Sequence, residues 1–538
     1  MKKYSFYILV SAGLLSGFLL ASCNKNKILT PNDQITSTEV YSTAAGYKQV
    51  LAKVYAAFAL TGNNGPAGSP DVQGVDEGTS DFFRLFWCVQ ELPTDEAVVS
   101  WTDPGLPDFH NMSWSSSNLF LQGLYYRSTY QITLCNEFIR QSTDASLKSR
   151  GITGADATNI GYYRAEARFL RAYQYWVLMD LFANPPFATE NDALGSTTPK
   201  QTDRATLYNY IVSELKAIDG SMVAPKANEY GRADQAAVWA LLARVYLNAQ
   251  VYTGTADYDD ALTYAQKVIN AGYSLADKYD NLMLADNNQY TNEFILTINY
   301  DGNSTQNYGG TTFLTHGPVG GTEQSSSFGI DGGWAGLRTT SSLFNLFPSN
   351  PATSFPNNGN PDTRAEFWTD GQNLTISDVT SFTDGIAVTK FRNVTSKGVA
   401  GSSLSYADVD MPIFRLPEMY LIYAEAVLRG ASGGDVTTAV GYINDLRKRA
   451  YSGTANGNIA ASDLTLDFVL DERGRELFWE GFRRTDLVRY GRFVENSYLW
   501  PFKGGVKTGT GVSAYRTIYP LPVSDLNVNP NLIQNKGY

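Results

Sequence analysis

The spacing of apolar residues divides this chain into helical blocks and one long block without a helical period. In YYRAEARFLRAYQYWVLMDLFANPPF, Tyr162, Ala165, Phe169, Ala172, Trp176 and Met179 recur every three or four residues. That places them on one stripe of a helix, with Arg164, Arg168 and Arg171 off it. Asn184-Pro185-Pro186 ends the helix, because proline lacks an amide donor and restricts the residue before it. Helix is also predicted over about residues 38–59 and 118–141. A break rich in Gly, Pro and Asn, residues 62–74, follows the first of these. From Phe82 to Ser117 the chain has aromatics, Pro and Asp but no clear period. Phe82, Phe83, Phe86 and Trp87 read there as core.

Two helix pairs come next. AAVWALLARVYLNAQ is followed by a turn near Thr253-Gly254 and by DYDDALTYAQKVINAG, closed by Gly272. Small residues at Ala237, Ala240 and Ala243 let a neighbouring helix approach. This layout resembles a tetratricopeptide unit. EMYLIYAEAVLRG with DVTTAVGYINDLRKRA forms a second pair, and a densely charged helical zone runs from about Leu464 to Tyr490. Such pairs stack into an α-solenoid. Between the pairs, residues 290–410 are rich in Gly, Ser, Thr and Asn. FILTINY reads as a strand. Residues 300–336 read as irregular surface structure carried on the helices.

The chain has 538 residues, and the length prior of about 150 per domain suggests three or four domains. No clear linker separates them, so one large unit also fits. The net charge of -11 argues against nucleic acid, whose phosphates need a concentrated basic face. The N-terminus has Lys2 and Lys3, an apolar run over residues 7–20, then Leu20-Ala21-Ser22-Cys23. This is a secretory leader, too short to span a bilayer comfortably. Its end resembles the bacterial lipobox, in which the Cys becomes residue one and is lipidated. Residues 1–22 are then removed, Cys23 is the lipid attachment site, and residues 23–37 form a tether.

Beyond Cys23 only Cys88 and Cys135 remain, either as one disulfide or as two buried thiols. The only histidines are His110 and His316, and no HExxH, CxxC, GxSxG or Walker loop occurs. The 34 Tyr and 9 Trp suit flat, half-wet binding faces, although a large helical core also uses them for packing.

Several blocks together resemble the SusD/RagB family of outer-membrane lipoproteins of Bacteroidetes. They include EARFLRAYQYWVLMDLFANPPF, GRADQAAVWALLARVYL, MPIFRLPEMYLIYAEA, DERGRELFWEGFRRTDLVRYGRF and the closing YPLPVSDLNVNPNLIQNKGY. With the lipobox, they cover nearly the whole chain. The resemblance implies a mainly α fold of tetratricopeptide-like helix pairs with a loop-rich, partly β part. Residues 38–538 then form one unit, with an N-terminal region over about 38–230 and a C-terminal region over about 285–538. It also implies a non-catalytic role without cofactor or metal: a lipid-anchored outer-membrane receptor that captures a glycan for a SusC-type TonB-dependent transporter.

A glycan receptor needs aromatic faces for pyranose rings and a few groups that hydrogen-bond hydroxyls, on loops held by a rigid frame. Two segments qualify, residues 84–114 and 300–334. In the family, aromatics from corresponding loops form the sugar-binding surface, so the resemblance implies Trp101 and Trp334 as platforms, with Tyr300 and Tyr308 as edges. Arg84, Asp103 and Asn303 are the expected polar contacts. Capture of peptides by a RagB-like receptor is the nearest alternative. A surface glycosidase is a further one, and would need two carboxylates roughly 5 to 9.5 Å apart across a cleft. The charged block from Asp471 to Arg492, with Glu480 at helical spacing from Arg483 or Arg484, reads as a structural or solvated face. Acids between Asp370 and Asp384 lack EF-hand spacing, so this stretch reads as a turn-rich surface loop.

Overall fold

The computed structural model describes residues 36–66, 70–192, 195, 198–347 and 360–538. The leader, Cys23 and most of the tether lie outside the described residues. Among the described residues no helix is long and apolar enough to cross a membrane.

The architecture is mainly α. The main helices are α1 (Ala44–Ala56), α2 (Phe82–Glu91), α3 (Leu119–Gln141), α4 (Gly154–Phe182), α5 (Arg204–Ile218), α6 (Gln235–Leu247) and α7 (Tyr258–Ile269). After the loop-rich block, which contains α8 (Gly310–His316), come α9 (Leu416–Leu428), α10 (Val436–Ala450), α11 (Leu466–Leu477) and α12 (Arg483–Arg489). α6 packs on α7, α7 on α9, and α9 on α10, so the two predicted pairs stack in series.

Helix α4 is central. Ala165, Phe169, Ala172, Trp176 and Met179 of its predicted stripe are buried, whereas Tyr162 is exposed. From Ala165 onward nearly every side chain is buried, as expected of a helix packed on all sides. Arg171 therefore does not reach solvent. It pairs with Glu190 and with Glu214 at 2.7 Å, and donates to Asn136 Oδ1 at 2.7 Å.

Two helices predicted as continuous are broken. Residues 38–59 form a short helix, Ser37–Val40, and then α1. Thr43 caps the second segment through the Gly46 amide, and a Cβ on Gly46 would fall 1.6 Å from the Val40 carbonyl oxygen. The chain turns there because Gly46 permits the close approach. Residues 464–490 break between α11 and α12, where Trp479 takes φ 63° and Gly481 φ 85°. The turn places the Trp479 indole in the core, where it meets Trp87 edge-on at 5.2 Å.

The charged block is buried rather than solvated. Glu480 pairs with Lys390 and Arg415, at 2.7 and 2.8 Å, and not with its helical neighbours. Arg483 pairs with Asp95 and Arg484 with Asp180. Arg415 also binds Glu293 and Glu476, and Arg364 joins Asp362, Glu472 and Glu476. This network fastens α11 and the following turn to the loop-rich block.

Residues 300–336 carry exposed loops as expected, but part of the stretch is internal. Every residue of α8 is buried, and Tyr300 is 5 % exposed. FILTINY forms a strand, Phe294–Ile298, buried throughout and antiparallel to Met411–Arg415 with two register shifts. A second ladder joins Val98–Val99 to Leu337–Arg338. Cys88 and Cys135 are free buried thiols, and burial pushes each up to about 12. The Asp384 carboxylate is occupied by the Ser377 and Asp378 amides and by the Asn373 side chain, which holds residues 370–384 as a compact turn.

Candidate functional site

The short ladder of Val98–Val99 with Leu337–Arg338 brings the two expected loops together. Val98 faces Arg338 and Val99 faces Leu337. The pairing continues as Ser100 donates its amide to the Gly336 carbonyl at 2.9 Å and its hydroxyl to the Ala335 carbonyl at 2.9 Å. Trp101 follows directly. Its Nε1 donates to the Trp334 carbonyl at 3.1 Å. The indole lies over Gly336, where an added Cβ would fall 2.1 Å from the ring.

Trp334 is held from the other side by α8. Its amide donates to the His316 carbonyl at 2.9 Å, and its ring lies 5.0 Å from the His316 ring. His316 Nδ1 is 2.9 Å from the Thr312 carbonyl. Burial lowers the His316 pKa, against the opposing pull of that carbonyl and of Asp331.

Four half-buried or exposed aromatics form one continuous surface. Trp101 and Trp334 have ring centroids 6.3 Å apart, Trp334 and Tyr308 6.5 Å, and Tyr308 and Tyr406 5.7 Å. Successive planes are inclined by 49°, 59° and 47°. A chain that stacks on consecutive rings must therefore turn as it goes.

Arg84 lies beneath this surface. It is 8 % exposed, with its guanidinium 4.6 Å from the Phe313 ring and 5.8 Å from the Trp101 ring. Its Nη1 donates to the Tyr308 carbonyl at 2.9 Å and the Gly78 carbonyl at 3.2 Å. Burial lowers its pKa, while Cys88, Asp103, Asp81 and Asp76 oppose the shift. Arg84 thus supports both Trp101 and Tyr308.

Asp81 fixes the same two elements from deeper in the core. It caps α2 by accepting the Arg84 amide at 2.9 Å, and accepts the Gly310 amide at the start of α8 at 2.7 Å. Burial pushes Asp81 up to about 6, and those amides pull it back toward the ionised form.

The remaining expected contacts are distributed unevenly. Tyr300 is not an edge of the surface. Its ring packs on Gly310, where an added Cβ would fall 2.3 Å away, and its amide donates to Asp410. Asp103 is exposed two residues beyond Trp101. Asn303 is exposed in a turn capped by Asp301, five residues before Tyr308, and no hydrogen bond ties its side chain to the aromatic surface. Tyr406 was not foreseen. It is one tyrosine in GSSLSYADVD, a stretch without a period, and only the fold brings it to Tyr308. Among the described residues no group of three or more His, Cys, Asp or Glu side chains is arranged to hold a metal ion.

Comparison with known proteins agrees with this architecture. Residues 292–538 match the model of the SusD family, and residues 110–247 match a model described as starch-binding associating with outer membrane. The chain is 37 % identical to the starch-binding protein SusD of Bacteroides thetaiotaomicron, over 98 % of both chains. It is 24 % identical to the SusD-like protein P38 of Formosa agariphila, over the full length of each. Among solved structures it resembles the surface glycan-binding protein A of B. thetaiotaomicron in complex with laminarihexaose. The TM-score is 0.68 at 22 % identity, covering 91 % of this chain and 99 % of that one. A SusD-like carbohydrate-binding protein of Bacteroides fragilis gives a TM-score of 0.69 at 19 % identity, covering 92 % and 100 %. The extent and identity of the match to SusD, together with the stacked helix pairs, place this chain in the SusD family.

Proposed function

We propose that this protein is a non-catalytic carbohydrate-binding lipoprotein of the outer membrane. It is anchored through Cys23, captures a glycan on the surface formed by Trp101, Trp334, Tyr308 and Tyr406, and passes it to a SusC-type TonB-dependent transporter. The observation that carries the binding role is the aromatic surface itself. Trp101 and Trp334 come from segments far apart in sequence and are locked edge to edge by the Nε1 bond to the Trp334 carbonyl. Rigid aromatic faces at the surface match the C–H faces of pyranose rings, and stacking there displaces water without ordering new loops. The relatives named for starch and glycan binding support carbohydrate as the ligand class. Asp81, raised by burial beneath the aromatic surface, lies under it rather than on it, which favours binding over acid catalysis. Anchoring rests on the Cys23 motif, and outward placement and the transporter partner rest on family membership.

The test is affinity electrophoresis of the mature chain lacking Cys23, in native gels containing starch, laminarin and other polysaccharides. Trp101→Ala and Trp334→Ala run alongside. The expected result is retardation by one glycan class, lost in both variants while their unfolding transitions stay cooperative. Mobility unchanged in every glycan, with peptide binding or product release in the same samples, rejects the proposal.

A further inference from the structure

A separate pocket adjoins the aromatic surface. It has a volume of about 190 Å³ and is lined by Asp76, Thr79, Leu85, Asp103, Leu119 and Phe120, among others. Its position relative to the aromatics is fixed at two points. Asp103 follows Trp101 by two residues. Asp76 sits across Gly78 from Tyr308: an added Gly78 Cβ would lie 3.2 Å from Asp76 Oδ1 and 3.7 Å from Tyr308 Cδ2. Arg84, under Trp101, feels the charge of both acids.

The lining has two characters. Leu85 and Phe120 are buried apolar walls, and Leu119, 53 % exposed, stands at the mouth. The acids supply acceptors. Asp76 Oδ1 receives the Thr79 amide at 3.1 Å. Among the described residues no protein donor reaches Asp76 Oδ2 or the Asp103 carboxylate. A purely apolar guest would strip water from these carboxylates without replacing its hydrogen bonds. An anionic guest would meet like charge. A neutral pyranose has an apolar face and a rim of hydroxyl donors, and fits both parts.

Size narrows the guest further. The volume is below the roughly 300–1,000 Å³ of pockets for drug-sized ligands, so it takes one ring rather than a run of rings. The first turns of α3, with Leu119, Phe120 and Gly123, line the pocket. That helix start forms one wall of the pocket.

We propose that this pocket holds the terminal sugar unit of the glycan whose preceding units lie on the aromatic surface, with Asp76 and Asp103 accepting hydroxyls that only an unsubstituted end presents. This inference rests on the glycan-binding reading and adds that the protein recognises chain ends.

The experiment uses the mature chain lacking Cys23 and isothermal titration with two probes of seven glucose units. Maltoheptaose has ends, and β-cyclodextrin has none. Leu119→Trp fills the mouth from an exposed position, and Asp103→Asn removes the charge at constant size. The expected result is at least fivefold weaker binding of maltoheptaose by Leu119→Trp, a smaller loss in Asp103→Asn, and unchanged binding of the ring by both. Trp101→Ala weakens both probes. Equal losses on chain and ring, or no loss on either, overturn end recognition while leaving the aromatic site standing. Wild-type protein that binds neither probe removes α-glucan as the ligand and this inference with it.

Discussion

Gly336 offers a way to disturb the proposed binding surface without changing a side chain proposed to meet ligand. In Gly336→Ala the new Cβ would fall 2.1, 2.3 and 2.6 Å from Cε2, Cζ2 and Nε1 of Trp101. Ordinary contact begins at 3.4 Å, so the indole or its backbone must give by about 1.3 Å. The Nε1 bond to the Trp334 carbonyl, 3.1 Å long, does not survive such a shift. Gly336 is not in the left-handed region, so the substitution adds no backbone strain and acts through the indole. Losing the Trp101 platform removes roughly 60 Å² of apolar contact with the ligand, about 1.5 kcal/mol at about 25 cal/mol per Å². The directional preference of a ring face adds about 0.5–1.5 kcal/mol. The sum, about 2–3 kcal/mol, corresponds to affinity weaker by about 30- to 150-fold. Isothermal titration with the glycan selected in the native gels measures it. Urea unfolding and indole fluorescence report whether the protein is folded and Trp101 displaced. Overpacking at this buried position costs about 1–3 kcal/mol of stability. A folded Gly336→Ala protein that binds like the wild type refutes the assignment of Trp101 as a platform. So does a loss in Gly336→Ala that adds in full to that of Trp101→Ala, because the glycine is held to act only through that ring.

Two predictions concern the buried charges. Arg415→Met leaves Glu293, Glu476 and Glu480 without their shared cation, and is expected to cost about 3–5 kcal/mol in urea unfolding. A variant within 1 kcal/mol of wild type would show that the remaining cations, Arg449, Arg364 and Lys390, compensate. Glu323 shows the opposite sign. Burial raises its carboxyl to about 8, so its contribution to stability is complete below the unfolded value near 4.5 and is lost as pH rises through 8. Its Oε2 accepts the Gly320 amide at 2.9 Å, and its Oε1 has no hydrogen-bond partner among the described residues. Glu323→Gln keeps the acceptor and cannot ionise. Its melting temperature relative to wild type is expected to climb between pH 5 and 9, and a pH-independent difference contradicts this.

The acid limit of stability comes from other carboxylates. Arg364 with Arg475 and Arg447, and Arg489 with Arg429, outweigh burial and hold Glu472 and Glu425 down at about 2. A depressed carboxylate stabilises the fold above its unfolded pKa, and that support is lost as pH falls from about 4.5 toward 2.

What was legible in the sequence was local. The period of α4, the proline stop after it, and the pairs α6–α7 and α9–α10 follow from apolar spacing and breakers within about 15 residues. The resemblance across the ordered blocks supplied the family. The break at Gly46 was not legible, because a glycine within a helical period is compatible with continuing the helix. Helix α2 was missed because all ten of its residues are buried, so no polar face marked a period. The charged block left two readings open, a structural or a solvated face. Charge at helical spacing does not choose between them unless its partners are known, and Glu480 finds them in Lys390 and Arg415, from distant segments.

The candidate site divides in the same way. The family resemblance, with loop context, pointed to Trp101, Trp334 and Tyr308, but assigned the same role to Tyr300, which packs beneath Gly310. Nothing local distinguishes a tyrosine that faces water from one that faces a glycine. Helix formation depends on neighbours three and four positions away, so the sequence alone determined the helical frame and its apolar faces. The aromatic surface depends on a two-residue ladder and on one hydrogen bond between residues 233 apart. Which aromatics stand together was decided by tertiary structure, because only packing of the whole chain sets those distances.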